Sequence, residues 1–419
     1  MTEKLLQFIW QFRHFDLAHL QTEDGDPLQI LHPGTLNNNQ GPDFLNARIH
    51  CRGTTWAGNI ELHVLSSQWK LHKHDDDPNY KNIILHVVWQ HDADLNLPFP
   101  TFVLGGRVPL LFLNRYDQLM KEQGFIACEK NISQVPEIIL LSRIDSMLAE
   151  RLQQRADRIL TSLQNNKAHW EEVFWQTLCR SLGTKVNESA FEAIAKTLPI
   201  SLLAKHKHNL VQVEALLMGQ AGLLSAGTKD AYQNMLCKEY HFLKKKYTLA
   251  GIGLPIHFLR MRPANFPTIR LAQLAALINE SQKLFSKIRE ATDVQQVQQL
   301  FTITANDYWH YHYRFGEETP FKEKQLGRQM IHGILINTVI PILYAYGQYH
   351  QNEKIKEKAI TWMQQLPAEK NSITNGFKIL GLRCVKASES QAYLQLKNEY
   401  CNHKRCLQCS IGNAILKMK

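Results

Sequence analysis

The sequence lacks most of the features that would settle its class at once. Its most apolar stretch, "GILINTVIPILYAYG" at 333–347, is by itself too short to span a bilayer and holds Pro341, which predicts a buried helix. The opening "MTEKLLQFIWQFRHF" has no basic leader, no long apolar region and no small-residue cleavage site, so a cytoplasmic location is expected. Low-complexity tracts and fixed-period repeats are missing too, which argues against a disordered tail and against a solenoid. Cysteine is sparse and badly spaced for a disulfide framework. Five of the eight are scattered (Cys51, Cys128, Cys179, Cys237, Cys384) and three are close together (Cys401, Cys406, Cys409). In a chain of 419 residues with no export leader, such a cluster points to metal rather than to disulfides.

What is present is ordinary in amount and uneven in placement. The chain is 44% hydrophobic and 21% charged, enough apolar matter for two or three domains with cores of their own. The net charge of +10 is divided: residues 1–120 hold 9 Lys+Arg against 13 Asp+Glu, and the rest holds 39 against 25. A basic second region beside an acidic first one suits a nucleic-acid partner next to a metal–carboxylate site, and equally suits Lys-rich solvated helix faces.

Periodicity separates the chain into an α/β region over 1–118 and a helical region over 119–419. "TEKLLQFIWQF" reads as an amphipathic helix with Thr2 as N-cap, "PLQILHPG" as a short strand, and "FLNARIHCR" with "WAGNIELHVLS" as a hairpin turning near Gly53. "NIILHVVW" is apolar on both faces, as a central strand is, and "TFVLGGRVPLLFL" is expected to supply edge strands. The remainder is a succession of helical patterns, with Gly183 as a C-cap, Asn187 as an N-cap and Pro199 as a stop. A division into two subdomains near 255–268 is expected within it.

Chemistry concentrates around Glu61. Strand alternation places Asn59, Glu61 and His63 on the face opposite Ile60, Leu62 and Val64, and the hairpin brings Asp43 toward that polar face. Two carboxylates and an imidazole there suit a divalent cation and an activated water; alternatively the face is simply solvated. "PDF" at 42–44 and "ELH" at 61–63, with 17 residues between Asp43 and Glu61, resemble the Pro-Asp…(Asp/Glu)-x-Lys pattern of the PD-(D/E)xK nuclease superfamily, with histidine in the lysine's place. That resemblance implies a restriction-endonuclease-like module in which Asp43 and Glu61 hold Mg²⁺ or Mn²⁺. His63 would then stand where the lysine orients water, and Glu3 would be an additional carboxylate. The chain as a whole resembles an uncharacterised bacterial family known only as a domain of unknown function. The resembling stretches are "GPDF", "GNIELHVLSSQW", "HKHDDDPNYKNIILHVVW", "RPANFPTIRLAQLA" and "YCNHKRCLQCSIG". It implies no particular activity.

Three further groups of residues compete for attention. His63, His72, His74, Asp77 and His86 have the donors of a zinc or manganese hydrolase, while Asp75, Asp76 and Asp77 also read as a solvated, turn-capping run. Ser66 and Ser67 lie near histidines without any nucleophile elbow. At the other end, "CNHKRCLQC" gathers Cys401, His403, Cys406 and Cys409 as ligands for zinc, with Cys384 or Cys128 as a remote fourth, or three of these cysteines and one distant one for an iron–sulfur cluster; alternatively it is a reduced helix end with incidental cysteines. "RMRPANFPTIR" sets Arg260, Arg262 and Arg270 around a Pro-rich loop that suits phosphate or an acidic surface of the first module. "YWHYHYRFG" at 308–316 suits base stacking or, at helical spacing, a core.

The resulting expectation is an α+β protein with a nuclease-like first module, a large all-helical domain after it and a Cys-rich metal clamp at 401–409. Its expected activity is metal-dependent phosphodiester hydrolysis on DNA or RNA. The alternatives are a non-catalytic nucleic-acid or protein scaffold and a His-rich zinc hydrolase of small molecules. A nucleic-acid partner is expected, and no membrane.

Overall fold

The computed structural model describes residues 1–37, 39–259, 261–281 and 283–418, with the side chain of Asp76 left aside. It is a mixed α+β structure of two compact units, Met1–Arg143 with Lys397–Lys419, and Ile144–Leu396. The boundary expected at 118/119 falls inside the first unit, because helix packing and the return of the C-terminal segment both extend that unit beyond its sheet. Residues 255–268, expected to divide the helical region, lie within the second unit.

The first unit opens with α1 (Glu3–Gln11), whose N-cap Thr2 accepts from Leu5 N. The apolar residues of "LLQFIW" recur so that Leu6, Ile9 and Trp10 are all fully buried. Around that face lies a sheet of β1 (Leu28–His32), β2 (Thr35–Leu36), β3 (Phe44–Cys51), β4 (Thr54–Leu65), β5 (Ile83–Gln90) and β6 (Thr101–Val103). The strand order is β1-β3-β4-β5-β6, with β2 on β3. β1, β3 and β4 run antiparallel, and β5 and β6 follow β4 in parallel. A parallel neighbour needs a crossover, and residues 66–82 supply it through the short helix α2 (Gln68–Leu71). Gly58 is required where β4 meets the end of that crossover: a Cβ there would lie 2.4 Å from Ile84 Cγ2 and 2.6 Å from Asn82 O.

The expected edge strand at 110–113 is instead part of helix α3 (Leu110–Lys121), entered through Pro109. Phe112 and Leu119 are its buried residues, two turns apart, whereas Leu110 and Leu111 remain exposed. An apolar run of leucines thus mimicked a strand although only its helical-period members are covered. Helix α4 (Glu137–Asn165) carries the chain into the second unit.

In the second unit α5 (Trp170–Leu182) ends at Gly183, and α6 (Thr184–Thr197) stops before Pro199. Asn187 is not an N-cap but lies buried inside α6, where its amide donates to His257 O and accepts from His257 N, both at 2.8 Å. Capping chemistry and tertiary pairing use the same donors, so sequence alone did not separate them. After α7 (Ile200–His206) come α8 (Leu210–Gln220), α9 (Ala231–Tyr247) and α10 (Pro267–Glu280); α8 and α10 are buried on nearly all sides. The apolar stretch at 333–347 belongs to a helix spanning Arg328–Tyr349, long and apolar enough by length and composition to cross a membrane, with most of that window buried in protein. It contains a π-turn at Leu335–Val339, just before Pro341, whose missing N–H and ring oppose a regular α-turn there. "YWHYHYRFG" splits into a helical turn at Asp307–His310 and a short strand at His312–Arg314.

Candidate metal centre on the central strand

The polar face of β4 is buried. Glu61 is 5% exposed and His63 fully enclosed, although strand alternation alone allowed this face to meet water. The crossover covers it: Trp69, itself 2% exposed, lies with its ring centroid 5.2 Å from His74 and 5.3 Å from His86, and Tyr80 stacks on His74 at 4.0 Å. A buried carboxylate needs partners, because stripping its hydration without replacement costs several kcal/mol.

Local irregularities deliver those partners. The β3–β4 register shifts between Phe44 and Ala47, with Asn46 left-handed at φ 59°. This sets Asp43 beside Glu61: Asp43 N donates to Glu61 Oε2 at 2.9 Å, and Leu62 N donates to Asp43 Oδ2 at 3.1 Å. From α1, Gln7 Nε2 donates to Asp43 Oδ1 at 2.7 Å. Glu3, one turn earlier and exposed, adds negative charge that both carboxyls feel. Burial first, then Glu3, holds the Asp43 carboxyl above the usual carboxylate range; burial first, then Asp43, does the same to Glu61.

Two imidazoles approach the other oxygen of Glu61, and two more contact His63. His74 Nε2 lies 3.5 Å and His63 Nε2 3.8 Å from Glu61 Oε1. His63 Nε2 is 3.2 Å from His72 Nδ1, and its Nδ1 is 2.9 Å from His86 Nε2. The parallel register pairs Glu61 with His86, which puts the His86 ring within reach of His63 two residues along. Ligand-capable atoms of His63, His72 and His74 all lie within 4.8 Å of one another. His74 Nε2 is buried with no hydrogen-bond partner among the described residues. Burial, followed by the neighbouring rings, lowers the His63 and His86 pKa values, so both rings are neutral near pH 7, the form that coordinates metal. The donor set therefore fits a divalent cation, with His72 and Glu3 on the solvent side and His86 behind His63 as the partner that fixes its ring.

A family profile described as "Protein of unknown function (DUF2851)" matches residues 3–372 of the 419. The chain belongs to the DUF2851 family. No curated protein and no solved structure matches it. The matched span takes in every residue of the Glu61 centre; the cysteines at 401–409 lie beyond it.

Other residues singled out in this DUF2851 chain sit elsewhere. Asp77 caps the turn at Pro78–Tyr80, accepting from Asn79 N at 2.9 Å, and Asp75 is engaged by Trp69 and Lys70. Ser66 and Ser67 donate to Asp92, at 2.9 and 2.7 Å, and thereby fasten the loop after β5. Arg270 is buried, its guanidinium bonded to Gln273 and Asn265; Arg262 is exposed, and Arg260 lies outside the described residues. Gln7, Trp69 and Tyr80 were missed in the sequence. Gln7 follows Glu3 at helical spacing, which is the one pattern that points to it.

Proposed function

We propose that the chain is a metal-dependent hydrolase of phosphodiesters, with Glu61, His63, His74 and His72 as the ligands of its ion and Asp43 as the adjoining carboxylate. The observation that carries this reading is the clustering of the His63, His72 and His74 ligand atoms, two of them, on His63 and His74, lying 3.8 and 3.5 Å from the one oxygen of Glu61 that accepts no backbone N–H among the described residues. A bound divalent cation would supply an activated water and neutralise charge on a phosphoryl oxygen. Asp43, braced by Gln7 and Leu62, is the group positioned to take up a proton beside the ion's ligands. His63 occupies the lysine's place in the PD-(D/E)xK pattern but has no fixed charge; as a neutral ring aimed at its neighbours it is a ligand. Imidazole donors shift the preferred ion from Mg²⁺ toward Mn²⁺ or Zn²⁺.

Two features support a phosphodiester substrate. The order helix, strand, hairpin, crossover and parallel strand is the one that the restriction-endonuclease-like resemblance implies. The positive balance beyond residue 120 suits a polyanion. The three imidazoles also favour a second reading, a zinc hydrolase of small molecules.

The test is to strip metal, add Mn²⁺, Zn²⁺ or Mg²⁺, and assay single- and double-stranded DNA and RNA beside a small phosphodiester. Cleavage is expected with Mn²⁺ and should fall at least about 100-fold in Glu61→Ala and Asp43→Ala, the scale of losing a positioned catalytic group. Cleavage of the small ester alone would favour the second reading, and no metal-dependent cleavage at all would sink both.

A further inference from the structure

The C-terminal segment folds back within the first unit and meets the end of α3 and the stretch after it. Lys397 Nζ donates to Phe125 O at 2.5 Å and lies 4.7 Å over the Phe125 ring. Lys404 donates to Met120 O, and the Arg143 guanidinium sits 4.1 Å over the Tyr400 ring. Three residues beyond Phe125, Cys128 is 9% exposed in the turn closed by Asn131 N on Cys128 O. In the C-terminal segment, Cys409 N bonds to Cys406 O in a tight turn, and both cysteines are 8% exposed. The terminal helix Ser410–Lys417 presses on that turn, so that a Cβ at Gly412 would lie 2.3 Å from Cys406 O.

Four free thiols thus belong to the first unit on the two segments that these contacts join: Cys128, Cys406 and Cys409, which are buried, and Cys401, which is half-buried. They feel one another electrostatically. Burial first, then Cys401, Cys409 and Cys406, pushes the Cys128 thiol up; burial first, then Cys409 and Cys406, pushes Cys401 up to about 12. A second observation independently calls for negative charge. Arg143 is 8% exposed, and its Nε and Nη2 have no hydrogen-bond partner among the described residues. Buried guanidinium nitrogens without acceptors are costly, and thiolates beside them would supply the missing anion. His403, expected from its place in the sequence to be a ligand, is exposed, and Cys384 belongs to the other unit.

We propose that Cys128, Cys401, Cys406 and Cys409 bind an iron–sulfur cluster. The spacing Cys401-x4-Cys406-x2-Cys409 with one remote cysteine is a cluster-binding arrangement. Structural zinc more often uses two separate short Cys pairs, whereas here the pairs overlap. Ligation converts the thiols to thiolates, with Arg143, Lys397 and Lys404 as the surrounding cations. The cluster would fasten the C-terminal segment to the turn at Cys128, independently of the Glu61 centre.

The test is to purify the full chain without oxygen and measure iron, acid-labile sulfide, zinc and visible absorption. Iron and sulfide in equal amounts, with a charge-transfer band bleached by dithionite, are expected. Both should vanish in Cys128→Ser and Cys406→Ser and persist in His403→Ala and Cys384→Ser. Zinc at these cysteines without sulfide would overturn the proposal, as would a metal-free wild-type protein in which all four thiols react with a thiol reagent. Should the cysteine variants fail to fold, the wild-type iron and sulfide content and the His403→Ala result decide the matter alone. A cluster kept in Cys128→Ser but lost in His403→Ala would also refute it.

Discussion

Each unit buries a glutamate on a central element, and the two are treated in opposite ways. Glu214 on α8 is wholly enclosed and receives Tyr232 Oη at 2.6 Å, Asn306 Nδ2 at 2.7 Å and Trp309 Nε1 at 3.3 Å. Every direction from that carboxylate ends in a donor. Glu61 receives one backbone N–H and otherwise faces a second carboxylate and imidazole nitrogens. The first arrangement is complete as it stands. The second leaves carboxyls and imidazoles facing one another, the gap that the proposed cation would fill, and that difference separates a structural buried carboxyl from a candidate metal centre.

Removing each carboxylate is the strongest way to break the comparison. Glu214→Ala removes the acceptor of three donors, the buried Trp309 among them, and is expected to cost about 3–5 kcal/mol of stability in urea melts. Glu61→Ala in the metal-free protein relieves repulsion with Asp43 and should cost nothing or stabilise by about 1 kcal/mol. If Glu61→Ala proves as damaging as Glu214→Ala, Glu61 is a structural group and the contrast collapses.

A smaller effect lies in pH. Because the folded carboxyls of Asp43 and Glu61 are held above their unfolded range, the folded state keeps protons that the unfolded chain releases. Their contribution is fully present below about pH 4 and is lost as the pH climbs through neutrality and beyond. The metal-free protein should therefore melt earlier at alkaline pH than at mildly acid pH, by an amount worth about 1–2 kcal/mol. Saturating Mn²⁺ should reverse the trend, since binding requires the deprotonated carboxylates. A metal-induced rise in Tm that shrinks as pH increases would contradict the assignment of Glu61 as a ligand.

Much of this could be read from residues alone, and the rest failed for definable reasons. The hairpin, the polar face carrying Glu61 and His63, and the donors His72 and His74 were legible because period-two alternation and the "HKH" spacing are local. Their burial was not. Alternation distinguishes two faces of a strand but not which of them a crossover will cover, and here Trp69 and Tyr80 close the polar one. The register shift that seats Asp43 is a backbone irregularity at Asn46 with no strong residue preference to announce it. Leu110 and Leu111 misdirected the reading of α3 because exposed leucines look like a strand's interior face. Cys128 was one of two remote cysteines in view; only the folding back of residues 397–418 onto the first unit selects it over Cys384.

Everything proposed for the Glu61 centre depends on Glu61 and the imidazoles around it binding one divalent ion. Titrating metal-free protein with Mn²⁺, following free ion by electron paramagnetic resonance, tests this directly. One Mn²⁺ bound per chain is expected, with affinity falling at least about 100-fold in Glu61→Ala and in His74→Ala, a loss of about 2.7 kcal/mol, and unchanged in Cys406→Ser. Undiminished Mn²⁺ binding in both variants, or none in the wild type, would contradict it.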